Sequence, residues 1–217
     1  MLGRIARGRT DLIFEWLATG GAPGATVDGA SLLQWAAYYG DVGALRQLMA
    51  HGAPLDPQAE LNGAAFHGHW QLTAFLLECG ADPNHPLADN GETPLHAALC
   101  RRDSVTHDRV VRVLLDAGAD PNRTTTPGVE TGCYMRDTLT RGETPLHRAA
   151  TCALPQTIEA LIAAGATIDA RDAHGETPLA WASRALRDDT VLRLLCYGPY
   201  RINPNRQPMA VSLIGEP

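Results

Sequence analysis

One motif returns along this chain, and its repetition limits the possible fold more strongly than any other feature. GETPLH occurs at 91–96 and again at 142–147, GETPLA occurs at 175–180, and a weaker copy, GASLLQ, lies at 29–34. A pair of small residues, or a near equivalent, follows each copy: Ala36-Ala37, Ala98-Leu99, Ala149-Ala150 and Ala182-Ser183. Such self-similarity predicts a stack of repeated units, because each unit buries its apolar face only against its neighbours.

A second motif follows the first in each unit. Its copies are LMAHGAPLD at 48–56, LLECGADPN at 76–84, LLDAGADPN at 114–122 and LIAAGATID at 161–169. A further unit has lost the TPLH of the first motif but keeps Ala64-Ala65. The first small residue of each unit therefore falls at 36, 64, 98, 149 and 182, so the spacings are 28, 34, 51 and 33. The spacings of 34 and 33 predict a regular unit. The spacing of 28 indicates a shortened hairpin, and that of 51 indicates a unit with insertions.

Each full copy of the first motif also predicts where a helix begins. A threonine is placed to cap the helix, and a proline occupies the first helical position, where a missing N–H costs nothing. These pairs are Thr93-Pro94, Thr144-Pro145 and Thr177-Pro178. A glycine that tolerates positive φ then ends each second helix, at Gly80, Gly118 and Gly165.

These motifs resemble the ankyrin repeat over nearly the whole chain. The resemblance implies an all-α solenoid of helix-turn-helix units joined by β-turn or hairpin loops, with five clear repeats and a degenerate N-terminal unit. We expect one domain over 1–198, with a long hairpin insert at 123–141 and a C-terminal tail at 199–217. Its units are expected at about 1–27, 28–56, 57–84, 85–122, 137–170 and 171–198. TRGETPLHRAA, with WAS and LRLLCYG further on, gives a looser resemblance to bacterial ankyrin-repeat proteins without an assigned activity.

Charge and composition narrow the partner and the compartment. The net charge is -6, and only Arg4, Arg7 and Arg9 group together, which argues against a nucleic-acid partner because phosphates require clustered basic residues. No apolar run is long enough to span a membrane, and the N-terminus does not resemble a secretory signal. The five cysteines form an odd number without a CxxC pair, which predicts a reducing, cytoplasmic setting. We expect a monomer without a cofactor.

The histidines of the repeated motif are the first candidates for catalysis, and a structural role explains them better. The ankyrin resemblance implies that His96 and His147 each bond to the threonine three residues earlier. Gln34 and Ala180 stand at the same place in other units, which a catalytic role does not explain. No catalytic or metal-binding residue is therefore assigned.

Two alternatives to a binding module stay open. The first is an enzyme in which the insert provides an active-site loop with Cys133, Asp137 or His147. The second is a metal-dependent regulatory subunit, suggested by the HxH pair of His67 and His69.

The hypothesis that we favour is recognition of another protein along a concave groove. In ankyrin-like proteins the two residues after the small pair face this groove, and aromatic residues and arginine tend to dominate binding energy. The long insert is the second candidate surface, because such loops are usually functional or mobile. The predicted contact residues are Tyr38, Tyr39, Phe66, His67, Arg101 and Arg184 in the groove, and Tyr134, Met135 and Arg136 in the insert.

Overall fold

The computed structural model describes residues 1–102, 104–133 and 138–197, and within these ranges the chain forms twelve α-helices. The helices follow one another in six pairs: α1 (Leu2–Ile5) with α2 (Leu12–Ala18), α3 (Leu32–Tyr38) with α4 (Val42–Ala50), α5 (Pro57–His67) with α6 (Trp70–Glu78), α7 (Pro94–Ala98) with α8 (Val105–Asp116), α9 (Pro145–Cys152) with α10 (Pro155–Ala163), and α11 (Pro178–Arg184) with α12 (Asp189–Leu194). This arrangement confirms the predicted all-α ankyrin solenoid.

Two short strands and a 3-10 turn complete the described secondary structure. Strand β1 (Thr26–Val27) pairs antiparallel with β2 (Ala30–Ser31), and a single 3-10 turn spans Ala88–Asn90. The insert is a hairpin whose two sides are joined by an antiparallel bridge between Glu130 and Leu139.

The helices are arranged in two layers. The first helices pack in the order α3, α5, α7, α9 and α11, while the second helices pack in the order α2, α4, α6, α8, α10 and α12. Two apolar clusters fill the space between the layers, and they meet at α5, where Ala64 belongs to one and Ala65 to the other. None of the described helices is both long and apolar enough to cross a membrane.

The first helices begin where the sequence predicts, and the reason is local. Thr144 has an extended backbone, and its hydroxyl lies 2.9 Å from Nδ1 of His147, while its backbone N–H donates to the same nitrogen at 3.1 Å. Thr93 and His96 repeat this arrangement at α7. The histidines therefore have the predicted structural role, which is to close a capping box and satisfy helix N-termini.

Glycine is required where two consecutive helix pairs of the solenoid come into contact. Gly68 follows α5 with a φ of +78°, and a Cβ at this position would lie 2.8 Å from the His107 ring. That ring sits there because His107 Nε2 bonds at 3.0 Å to the carbonyl of Phe66, at the end of α5. Likewise, a Cβ at Gly40 would lie 2.6 Å from the His69 ring, whose Nε2 bonds at 2.9 Å to the Tyr38 carbonyl.

Asparagines of the second motif link one unit to the next. Asn84 donates at 2.9 Å to the Gly118 carbonyl and accepts at 2.7 Å from the Asp120 N–H. Asn122 makes the equivalent bonds, at 2.9 Å and 2.8 Å, to Gly165 and Thr167. Each asparagine amide thus links the loop after the second helix of one unit to the loop after the second helix of the next.

Candidate functional site

The aromatic cluster, formed by Tyr38, Tyr39, Phe66 and His67, occupies the N-terminal half of the groove. Tyr38 is 52% exposed and Tyr39 is 38% exposed, with their ring centroids 5.0 Å apart. The Tyr38 and His67 rings are also 5.0 Å apart, and Phe66 lies 5.1 Å from His67. Tyr39 is partly committed to the fold, because its hydroxyl donates to the Ala6 carbonyl at 2.9 Å. Tyr38 is therefore the side chain of this cluster most available to a partner.

A cleft of about 610 Å³ opens beside this cluster. Its lining includes Trp35, Tyr38 and His67, together with the carboxylate of Glu60. Burial raises the pKa of Glu60, and the nearby Asp56 raises it further. Burial also lowers the pKa of His67, with the neighbouring His69 and Arg101 acting in the same direction. This half of the groove is therefore lined mainly by aromatic side chains.

The other half of the groove is rich in arginine. Arg101 is exposed and stacks over the Phe66 ring, with its guanidinium carbon 5.6 Å from the ring centroid. Beyond it lies a second cleft, the arginine cleft, of about 470 Å³. Its lining contains Arg102, Arg141 and Arg184 beside Trp181.

Two carboxylates hold the walls of the arginine cleft. Arg141 donates to Glu176 at 2.7 Å and lies 3.1 Å from the buried Asp172. Arg184 pairs with the other oxygen of Glu176. The Trp181 indole N–H donates to Asp172 at 3.1 Å, so the cleft has a fixed aromatic floor.

A buried ion triad lies beneath the insert. The Arg148 side chain is fully buried and pairs with Glu92 at 2.5 Å and with Glu143 at 2.6 Å. The insert completes the coordination of both carboxylates, because Thr131 donates to Glu92 at 2.5 Å and Thr125 donates to Glu143 at 2.7 Å. The triad therefore fixes the base of the hairpin to the helices.

The electrostatics of the triad favour its charged form. Burial acts to raise the pKa of each carboxyl, but Arg148 and the hydrogen bonds outweigh it, so the pKa values of Glu92 and Glu143 are lowered. A buried guanidinium with satisfied partners is stable, whereas a lone buried charge is costly.

Two residues of the enzyme alternative, Cys133 and His147, lie in environments that disfavour a reactive thiolate–imidazole pair. Burial raises the pKa of Cys133 to about 12 despite the opposing effect of Arg148, which donates to its sulfur at 3.3 Å. His147 has Thr144 at Nδ1 and the Glu176 carbonyl at Nε2, so neither ring nitrogen faces Cys133. Asp137 lies outside the described residues. In the part of the chain that the structure describes, no group of three or more His, Cys, Asp or Glu residues has the geometry of a metal site.

The structure thus locates the predicted contact residues unevenly. Tyr38, Tyr39, Phe66, His67 and Arg101 come together across α3, α5 and the turn after α7, and Arg184 lies further along at the end of α11. Tyr134, Met135 and Arg136 lie outside the described residues.

Sequence reasoning missed the arginine cleft and the triad. Arg102 and Arg141 precede or follow the motifs, and nothing in their spacing indicates that they approach Arg184. Arg148 did leave a signal, because it occupies the position held by Ala97 and Trp181 in other units, which is buried. A charge at a buried repeat position requires a partner, and Glu92 and Glu143 were available in the motif itself.

The stacked helix pairs define a helical repeat protein, and comparison with known proteins agrees. The family model described as Ankyrin repeats (3 copies) matches residues 33–125 and 128–207. The chain therefore belongs to the ankyrin-repeat family, whose members are generally protein-interaction modules. Cyclin-dependent kinase inhibitor 2A of Homo sapiens is 35% identical over 131 residues, which are 60% of this chain and 72% of that protein.

Proposed function

We propose that this chain is a non-catalytic binding module that recognises a partner protein through its groove and its insert. The exposure of Tyr38 at 52%, in a cluster of packed aromatic rings beside a cleft, is the observation that carries the proposal. Aromatic side chains contribute large contact areas at low entropic cost, because few torsions are immobilised. The similarity to a cyclin-dependent kinase inhibitor supports a protein as the partner.

The insert contributes to this proposal through its anchoring. Thr125 and Thr131, both on the first side of the hairpin, donate to buried carboxylates, so this side is fixed to the folded helices. Tyr134, Met135 and Arg136 follow Thr131 in the sequence, and we propose them as the insert's contact residues. We also propose that the protein is a monomer in a reducing, cytoplasmic setting, and the five free cysteines support the reducing setting.

Site-specific photo-crosslinking tests the groove. A photoreactive phenylalanine analogue replaces Tyr38 in one variant and Phe14 in the matched control. Phe14 is similarly exposed, at 44%, but lies on α2 in the layer of second helices. In the native cell, we expect position 38 to yield a defined protein adduct and position 14 to yield none. Adducts from position 14 alone would contradict the proposal.

Substitution is a better test of the insert than deletion. Deleting the hairpin removes the Thr125 and Thr131 bonds to buried carboxylates, so lost binding could reflect lost stability. Tyr134→Ala and Arg136→Ala leave those anchors in place. We expect each to weaken recovery of the adduct without shifting the unfolding midpoint, and unchanged recovery in both variants would remove the insert from the interface.

A further inference from the structure

The two halves of the groove differ in charge, and this difference points to the chemistry of the partner. Among the residues that line the arginine cleft, the charged ones are Arg102, Arg141 and Arg184, and Arg101 is exposed beside it. The carboxylates there, Asp172 and Glu176, are buried or half-buried, and each already accepts hydrogen bonds. The groove therefore presents basic groups to solvent on a chain whose net charge is -6.

The cleft combines these charges with an apolar floor. Trp181 is only 8% exposed and lies under Arg141, whose guanidinium carbon is 5.4 Å from the ring centroid. Cys152, Thr151 and Ala185 line the same cleft. An occupant that matches both features needs anionic groups at the rim and an apolar group between them.

Glu176 shows which anion suits the rim. Its two oxygens accept separately from Arg141 and Arg184, so both guanidiniums of the rim already pair with a carboxylate. The Arg184 side chain is 56% exposed, and an exposed ion pair of this kind is worth little, so a second carboxylate can compete for it without a large loss.

We propose that the arginine cleft binds an acidic segment of the partner protein, in which carboxylate side chains flank an apolar residue. The inference rests on the proposed function and adds to it the chemistry of the partner segment that the groove recognises. The carboxylates pair with Arg102 and Arg184, and the apolar side chain rests on the floor formed by Trp181 and Ala185. Desolvation on binding strengthens these ion pairs relative to exposed ones.

A peptide series tests this proposal directly with the intact chain. The probe is a short fluorescein-labelled peptide with a leucine flanked by glutamates, followed by fluorescence anisotropy at low and high salt. Matched peptides carry glutamine, lysine or phosphoserine in place of glutamate. We expect the glutamate peptide to bind in a salt-sensitive manner, and the glutamine peptide to bind roughly tenfold or more weakly for each charge-assisted bond lost.

A pair of arginine variants locates the site. Arg184→Gln removes a cleft residue, while Arg193→Gln is its control, because both side chains are similarly exposed, at 56% and 58%, and each pairs with one carboxylate. We expect roughly tenfold weaker binding for Arg184→Gln and no change for Arg193→Gln. Equal binding of the glutamate and glutamine peptides, equal effects of the two variants, or binding of the phosphoserine peptide alone would overturn the proposal.

The peptide test and the crosslinking test of the proposed function can fail independently of each other. If position 38 crosslinks to a protein while no acidic peptide binds, the groove function stands and the acidic segment is wrong. If the acidic peptide binds but position 38 yields no adduct, the aromatic half is removed from the interface and the arginine cleft is retained.

Discussion

Arg148 in α9 and Glu92 before α7 form a fully buried ion pair at 2.5 Å, although 56 positions separate them in the chain. The pair joins two consecutive units and, through Thr131, the hairpin that lies between them. The repeat with the largest departure from regular spacing is thus also the one held by a charge network. The insert is consequently part of the folded core at its base.

Removal of Arg148 is expected to be the most damaging single change at this network. Arg148→Met leaves the carboxylates of Glu92 and Glu143 buried without a counter-ion, and we expect a loss of about 3–5 kcal/mol in the free energy of unfolding. Urea denaturation measures this loss. Arg193→Met, which breaks an exposed pair, should change it by less than about 1 kcal/mol.

A triple variant separates charge from shape at the same place. Glu92→Gln and Glu143→Gln combined with Arg148→Met remove all three charges, and we expect much of the lost stability to return. A single Arg148→Met variant as stable as the parent protein would show that the triad contributes nothing to folding.

Acid sensitivity between pH 6.5 and 4 is expected from His147. Burial lowers its pKa from 6.5 to about 4, with Asp172 and Glu143 opposing, so protonation favours the unfolded chain. The free energy of unfolding is therefore at its full value above pH 6.5 and falls as the pH drops towards 4. The contribution lost by pH 5 is about 2 kcal/mol.

His147→Gln tests this assignment with a residue that the chain already uses. Gln34 closes the same capping box with Ser31 in α3, so glutamine keeps the helix cap while removing the titration. We expect a flatter dependence of the urea midpoint on pH between 6.5 and 4. An unaltered slope would place the acid sensitivity in other groups, such as His96, whose pKa is also lowered by burial.

Cys133 is expected to react slowly with alkylating reagents. A pKa raised from 9.0 to about 12 lowers its thiolate fraction about a thousandfold, and thiolate is the reactive form. Mass spectrometry after brief treatment with iodoacetamide should show labelling of the exposed Cys79 well before Cys133. Preferential labelling of Cys133 would revive the enzyme alternative.

Asn122 is expected to couple neighbouring units. Asn122→Ala loses the bonds to Gly165 and Thr167, and we expect about 1–2 kcal/mol less stability in urea denaturation. Asn122→Asp keeps the acceptor and loses the donor, so its loss should be smaller. Thr124→Ala, at an exposed position beside it, is the control, and an equal effect of all three would disprove the coupling.

The sequence by itself determined the units and the ends of their helices. Thr144, Pro145 and His147 lie within four positions, so the cap they form depends on local backbone geometry alone. The glycines at 68 and 118 are likewise required by a positive φ at a helix end. The exposed Tyr38 and Tyr39, at the C-terminal end of α3, follow from the same register.

Only the tertiary structure decided which interactions the irregular segments of the chain make. Whether Arg148 is a surface charge or the centre of a buried triad depends on Glu92, Glu143 and the folded insert, which converge only when the units stack. The arginine cleft likewise draws Arg102, Arg141 and Arg184 from three separate segments. Local periodicity determines which face of a helix is buried, but the strength of an ion pair depends on distance and burial, and the stacked structure alone supplies both.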